Sequence, residues 1–150
     1  MFGDEIGAYE PELQAKGCKV FHLPQPSDGY HAYMKNLKVL INTYRYDVIH
    51  AHTMFNIGWA MLAGKLCGVP MRISHAHSAL TEKRSLKVRI YEAAMRFLIR
   101  TCANTFAACG MKAGARLYGE HFFKSKGTLI LNGIDTQSFS FDTKSEAKRS

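Results

Sequence analysis

Several features that would assign a sequence to a class at once are missing from this chain. Its four cysteines include no CxxC pair, so they indicate neither a zinc ribbon nor a redox motif, and we expect them to be reduced and buried. The first ten residues show no basic segment followed by an apolar one, so no signal peptide is expected. No apolar run reaches the roughly 18 residues that a membrane helix needs. These absences predict a cytoplasmic globular domain.

Acidic residues are also scarce relative to basic ones. The chain of 150 residues has 20 Lys and Arg against 12 Asp and Glu, a net charge of +8. Such an excess favours an anionic partner: nucleic acid, anionic lipid or a phosphorylated small molecule. Nucleic acid is not expected, because no recognition motif occurs and the positive charge is not interleaved with aromatic residues as single-strand binders require.

Residues 46–78 provide the central unit of the chain. An apolar run at 47–51 predicts a strand, and the mostly apolar stretch 55–67 predicts a helix that Gly68 and Pro70 end. A second strand begins at Met71. Strand, helix and strand form a βαβ unit, which implies two parallel strands and a right-handed crossover.

The remaining elements continue the alternation. Period and turn residues predict helices at 4–16 (weak), 31–44, 85–102 and 111–118, and strands at 18–23, 104–108 and 127–131. Alternating strands and helices are typical of an α/β, Rossmann-like fold, with a mainly parallel sheet and helices on both faces. No G-x-G-x-x-G loop occurs in the sequence.

Each strand of the central unit ends in the same tripeptide, His-Ala-His: residues 50–52 and 75–77. Ligands of open α/β sheets bind beyond the carboxyl ends of the strands. Alternation loosens at a strand end, so one histidine of each pair can face the crevice while the other packs. We expect His50 and His75 to be satisfied within the sheet, and His52 and His77 to face a ligand. A neutral imidazole can bond a sugar hydroxyl or a phosphate.

The turns after the strands offer a second potential binding feature. Thr53 and Asn56 are candidate N-caps of the helix at 55–67, whose N-terminus would form a seat for an anion. Gly110, just before the helix at 111–118, and Lys112, in its first turn, are placed similarly. This property is common to α/β sheets and by itself identifies no ligand.

A metal-dependent hydrolase is an alternative, because an H-x-H tripeptide after a strand can bind a catalytic ion. Such a site also needs a carboxylate or further histidines at other strand ends, and Asp135 is the only nearby carboxylate in the sequence. We therefore predict that no residue of this chain binds a metal ion.

Several segments, in this order and spacing, resemble the N-terminal domain of a family 4 glycosyltransferase with the GT-B fold. They are DVIHAH, a small-residue helix closing in GVP, RISHAHS, ACG before a short helix, and LILNGID-x-x-x-F. The similarity is greatest to bacterial capsular and exopolysaccharide glycosyltransferases. It implies a retaining transfer of a sugar from a nucleotide sugar to a polysaccharide or lipid-linked acceptor, generally with no metal cofactor.

The resemblance also implies roles for particular residues. A histidine at the end of the second strand of the unit would contact the donor sugar near the reaction centre, which is His77 or His75 here. The other expected substrate-binding residues lie in the turns at the same sheet edge: His52, Thr53, Asn56, Ser78, Gly110, Asn132 and Gly133.

The family pattern extends beyond this sequence. Residues 1–141 correspond to the acceptor-side domain without its first βα unit, and residues 142–150 to the start of an interdomain linker. The chain then resembles a fragment truncated at both ends, which would not catalyse transfer alone. The alternative is a non-catalytic Rossmann-like module that partners a separate C-terminal half.

A basic segment follows the second His-Ala-His tripeptide. Lys83, Arg84, Lys87 and Arg89 fall within residues 81–100, which carry more Lys and Arg than Glu. These side chains are candidates for peripheral contact with the anionic inner face of the plasma membrane, where a lipid-linked acceptor would lie. The alternative is that these basic residues form a solvated helix face without a partner.

Overall fold

The computed structural model describes residues 6–26, 29–79 and 85–133. These ranges contain six α-helices: α1 (Glu10–Ala15), α2 (Tyr30–Tyr44), α3 (Ile57–Leu66), α4 (Leu86–Cys102), α5 (Met111–Tyr118) and α6 (Glu120–Lys126). They also contain four strands: β1 (Val48–Ala51), β2 (Met71–Ala76), β3 (Thr105–Ala108) and β4 (Gly127–Leu129). A 3₁₀ turn, Met54–Asn56, leads from β1 into α3.

The four strands form one parallel sheet in the order β1-β2-β3-β4. In its register Ala51 pairs with Ser74, and His75 pairs with Ala107. Parallel strands place all their carboxyl ends at one edge, so the segments that follow β1 to β4 meet there. The α/β, Rossmann-like class and the parallel βαβ unit predicted from the sequence are confirmed.

The main core lies between one face of the sheet and helices α3 to α6. Ile57, Met61, Ile99, Leu117 and Tyr118 are completely buried there. The strand residues of the two buried clusters alternate along the strands and share this face: Ile49, Ala51, Ala76, Phe106 and Ala108. The residues of opposite parity, which include His50 and His75, join neither cluster. Within the described ranges, the helices of the main core therefore cover one face of the sheet, the face opposite to His50 and His75.

Tyr118 fixes the spacing of β2 and β3 near their carboxyl ends. Its hydroxyl lies 2.7 Å from the main-chain oxygen of Ser74, 2.9 Å from that of Ala107 and 3.0 Å from Ser74 Oγ. Burial raises the pKa of this hydroxyl to about 12, so it stays protonated and can donate. Because Ser74 precedes His75 in β2, this contact also holds the backbone of that histidine.

The segment 18–23, predicted as a strand, is not one: it makes only an isolated bridge at Leu23. Its side chains pack on helices instead. The Phe21 ring lies 5.1 Å from that of Tyr44, and His22 Nε2 lies 3.1 Å from the Glu10 carboxylate. The apolar pattern was too incomplete to distinguish sheet pairing from packing on α1 and α2.

The cysteine prediction holds in part. All four cysteines are free thiols, and Cys102 is buried in the core. Cys67 and Cys109 are half-buried, whereas Cys18 is exposed because it follows α1 at the surface. Some predictions lie outside the described residues: the side chains of Lys83, Arg84 and Asp135, and the linker at 142–150.

Candidate functional site

Four of the seven histidines form one cluster at the carboxyl edge of the sheet. His50 lies in β1 and His75 in β2, and His52 and His77 follow these strands directly. Alternate residues of a strand point to the same side, so the two histidines of each tripeptide share a face. The parallel register then brings the two pairs side by side. We call these four residues the histidine cluster.

The rings of the cluster are in direct contact. Nε2 of His50 lies 3.1 Å from Nδ1 of His75, and Nδ1 of His52 lies 2.8 Å from Nε2 of His77. Within each tripeptide the ring centroids are 4.1 Å apart. The expected loosening of the alternation at the strand ends is therefore wrong, because both rings of each tripeptide stay on one side.

Burial differs sharply within the histidine cluster. His75 is 5% exposed, whereas His50, His52 and His77 are exposed. We expected His50 and His75 to be satisfied within the sheet, and one nitrogen of each ring has a partner because the two rings bond each other. The second nitrogen of His75, Nε2, is buried without a hydrogen-bond partner. A buried polar atom in that state costs free energy, so His75 is the least satisfied member of the cluster.

Burial, and then mutual proximity, keep these imidazoles neutral. Burial and then the charges of His50, His75 and His77 lower the pKa of His52 from 6.5 to about 4. Burial and the neighbouring imidazoles also lower the pKa of His75, and burial with His77 lowers the pKa of His50. At neutral pH these three rings offer both an N–H donor and a lone pair, the forms that bond hydroxyl groups or ligate metals.

The turn after β1 differs from its predicted role. Asn56 precedes α3 and Thr53 precedes the 3₁₀ turn, but neither side chain makes a capping hydrogen bond. The Oδ1 atom of Asn56 instead accepts a 2.7 Å hydrogen bond from the hydroxyl of Tyr91, which in turn accepts one from Trp59 Nε1. Asn56 therefore occupies the predicted N-cap position of α3, but its side chain does not cap the helix, because a partner on α4 occupies the amide oxygen.

The remaining predicted residues follow the other strand ends. Ser78 lies one residue beyond His77, Gly110 precedes α5, and Asn132 and Gly133 follow β4 and are exposed. Cys109 joins two of these segments, since its N–H donates to Ala76 O and its thiol lies 3.4 Å from His77 O. The topology thus places these residues at the same sheet edge as the histidine cluster.

One member of the cluster, His50, was not among the site residues expected from sequence. The signal that could have found it is the strict i, i+2 spacing of the tripeptide, which places His50 and His52 on one face. A metal ion could also be held here: one ligand nitrogen each from His50, His52 and His75 lies within 4.8 Å of the other two.

Comparison with known proteins shows a family similarity that extends over most of the chain. The family model described as Glycosyltransferase Family 4 matches residues 4–138. The chain is also 31% identical over 136 residues to a protein of Bacillus subtilis (strain 168) named "Putative glycosyltransferase EpsF". That alignment covers 88% of this chain and 35% of the relative, so the chain spans about a third of the relative's length.

Proposed function

This chain belongs to glycosyltransferase family 4, and from that premise we propose that it forms the acceptor-binding half of a retaining glycosyltransferase. The enzyme would move a sugar from a nucleotide sugar to a polysaccharide or lipid-linked acceptor, in capsule or exopolysaccharide synthesis. We further propose that the transfer uses no metal cofactor, and that the 150 residues alone do not catalyse it. The donor is expected to lie mainly against a second domain.

The observation that carries this proposal is the exposed imidazole pair beyond β1 and β2. His52 and His77 are in contact at 2.8 Å, lie at the carboxyl edge of a parallel sheet and are open to solvent. Ligands of such sheets bind at this edge. This contact uses Nδ1 of His52 and Nε2 of His77, so the other nitrogen of each ring is the one that would bond a sugar hydroxyl group.

The two candidate catalytic histidines receive different roles. His77 is exposed, whereas His75 is buried between strands and bonded to His50. This difference supports His77 as the residue that contacts the transferred sugar and His75 as the residue that holds its neighbours in place. His52, Thr53, Ser78, Gly110, Asn132 and Gly133 are proposed to contact substrate around them.

Binding of saccharides to the 150-residue chain tests this proposal. We would follow the imidazole signals by NMR while adding maltotetraose or chitotetraose as acceptor probes, and UDP-glucose or UDP-N-acetylglucosamine as donor probes. A glycan is expected to shift the His52 and His77 signals and to leave the exposed His121 unchanged. Because one hydrogen bond contributes about 0.5–1.5 kcal/mol, His77→Ala should weaken glycan binding about two- to tenfold.

Two results would contradict the proposal. Sugar transfer from any nucleotide sugar by the 150 residues alone would show that the chain is more than an acceptor-binding half. Imidazole signals that neither glycan moves would exclude the histidine cluster as the acceptor site. His121→Ala, which removes an exposed histidine from α6, is the matched control and should bind glycan as the wild type does.

We also propose that the protein acts on the cytoplasmic side of the membrane, in peripheral contact with anionic lipid through α4. Within residues 6–26, 29–79 and 85–133, no helix is both long and apolar enough to cross a membrane. Leu86, Ile90 and Phe97, spaced by four and seven, are 71%, 63% and 65% exposed. Lys87 and Arg89 are exposed beside them. An exposed apolar stripe with adjacent basic residues is typical of helices at a lipid surface.

Vesicle binding measures this contact. Each basic side chain near an anionic surface contributes about 1 kcal/mol, so the pair Lys87→Ala and Arg89→Ala should weaken binding to phosphatidylglycerol-containing vesicles about 30-fold. Lys112→Ala with Lys124→Ala removes the same charge from α5 and α6 and should have a smaller effect. Equal binding of the wild type to neutral and anionic vesicles would refute the proposal.

A further inference from the structure

The histidine cluster holds more ligand nitrogens than contact with one saccharide requires. His50, His52 and His75 each place a ring nitrogen within 4.8 Å of the nitrogens of the other two. We propose that these three histidines form a binding site for a transition-metal dication of the zinc class, with a fourth position open to solvent. The site is separate from any requirement of the transfer reaction, which is proposed to proceed without metal.

The spacing of the rings suits such an ion. Two imidazoles on a tetrahedral zinc, with Zn–N bonds of 2.0–2.1 Å, have their ligand nitrogens about 3.3 Å apart. Nε2 of His50 and Nδ1 of His75 already lie 3.1 Å apart. The ring centroids of His52 and His75 are 5.1 Å apart, so the third ring lies beside this pair. Small ring rotations would bring all three nitrogens to one ion.

Two further contacts favour a ligand at this place. A metal-binding histidine commonly uses its other ring nitrogen for an orienting hydrogen bond, and Nδ1 of His52 is bonded to His77 in this way at 2.8 Å. His75 is 95% buried, so its ring, and with it the Nδ1 atom beside His50, is held in place.

The donor set selects the class of ion. The group contains only imidazoles, which suit zinc, copper and nickel, whereas magnesium, calcium and manganese prefer oxygen ligands. His50 and His52 are exposed, so an ion can reach the site from solvent. Bound zinc would occupy the nitrogens of His52 and would therefore compete with a glycan. This consequence, unlike the metal site itself, rests on the proposed function.

The test is zinc binding to the whole 150-residue chain after removal of metal with a chelator. Calorimetry with Zn²⁺ should give one site per chain, and loss of a ligand in His52→Ala or His50→Ala should weaken binding by at least about tenfold. Both residues are exposed, so folding should persist, and circular dichroism checks this. His121→Ala removes an exposed histidine elsewhere and should bind zinc as the wild type does.

Cobalt substitution separates this site from the cysteines. Co²⁺ bound by imidazoles in a tetrahedral site should give intense visible absorption without a thiolate-to-cobalt charge-transfer band. A thiolate band would assign the metal to a cysteine such as the exposed Cys18 and would overturn the proposal. So would the absence of zinc binding, or equal affinities in the wild type, His52→Ala and His121→Ala. If zinc binds as expected but glycans shift no imidazole signal, the metal site stands and the proposed function fails.

Discussion

Replacing Arg116 with methionine is expected to lower the free energy of unfolding by about 3–5 kcal/mol, because it removes one partner of a buried ion pair. Nη2 of Arg116 lies 2.8 and 2.9 Å from the two carboxylate oxygens of Glu92. The side chains are only 14% and 10% exposed. The variant keeps the apolar stem but removes the cation that faces a nearly buried carboxylate. Urea unfolding measures the change.

The double variant Glu92→Leu with Arg116→Met sharpens this experiment. Replacing both ions by apolar side chains removes the desolvation cost along with the attraction, so the double variant should be more stable than Arg116→Met alone. The buried Nε of Arg116 has no hydrogen-bond partner, which adds to that cost. Lys124→Ala, which removes one partner of the exposed pair with Glu120, is the control and should cause no measurable change. An Arg116→Met variant as stable as this control would contradict the prediction.

Replacing Phe123 with alanine is expected to destabilise the protein by a similar amount, about 3–5 kcal/mol, because it opens a cavity in the main core. Phe123 is 2% exposed and its ring is stacked on Tyr118 at 5.6 Å. Two glycines, Gly114 in α5 and Gly127 in β4, lie so close that a Cβ on either would overlap this ring. The ring therefore joins α5, α6 and β4. Thermal and urea unfolding of Phe123→Ala measure its contribution.

Phe97→Ala is the matched control for this cavity. It removes the same atoms from a side chain that is 65% exposed on α4, so the expected change is within about 0.5 kcal/mol. Similar destabilisation of both variants would show that loss of a phenyl group, rather than its packing between Gly114 and Gly127, sets the cost. Phe123→Leu should fall between the two, because it fills part of the space.

The candidate site shows where local patterns are sufficient and where they are not. The two His-Ala-His tripeptides predicted imidazoles at adjacent strand ends, since the strand pattern and the helix stop at Gly68 and Pro70 are local in sequence. The mutual contacts of the four rings depend on the register between β1 and β2. Register is a pairing between distant residues, and neither tripeptide encodes it alone.

Asn56 and α6 show the same limit. An asparagine before an apolar helix has the sequence signature of an N-cap, but Tyr91, 35 residues away, binds its amide oxygen. The segment 120–126 has no strong apolar period, yet it forms a helix whose Phe123 is buried against Tyr118. In both cases a tertiary contact outweighs a weak local preference.

The sequence by itself determined the order of the elements from α2 to α5, the parallel α/β class and the strand ends that carry histidine. These depend on hydrophobic period and turn residues, which act over a few neighbouring positions. Only the tertiary structure decided that His50 joins the histidine cluster, that His75 is buried while His77 is open, and that Phe123 fills the gap between two glycines. Burial and ring contact depend on which distant surfaces meet, and that is settled only when the whole sheet and its helices pack.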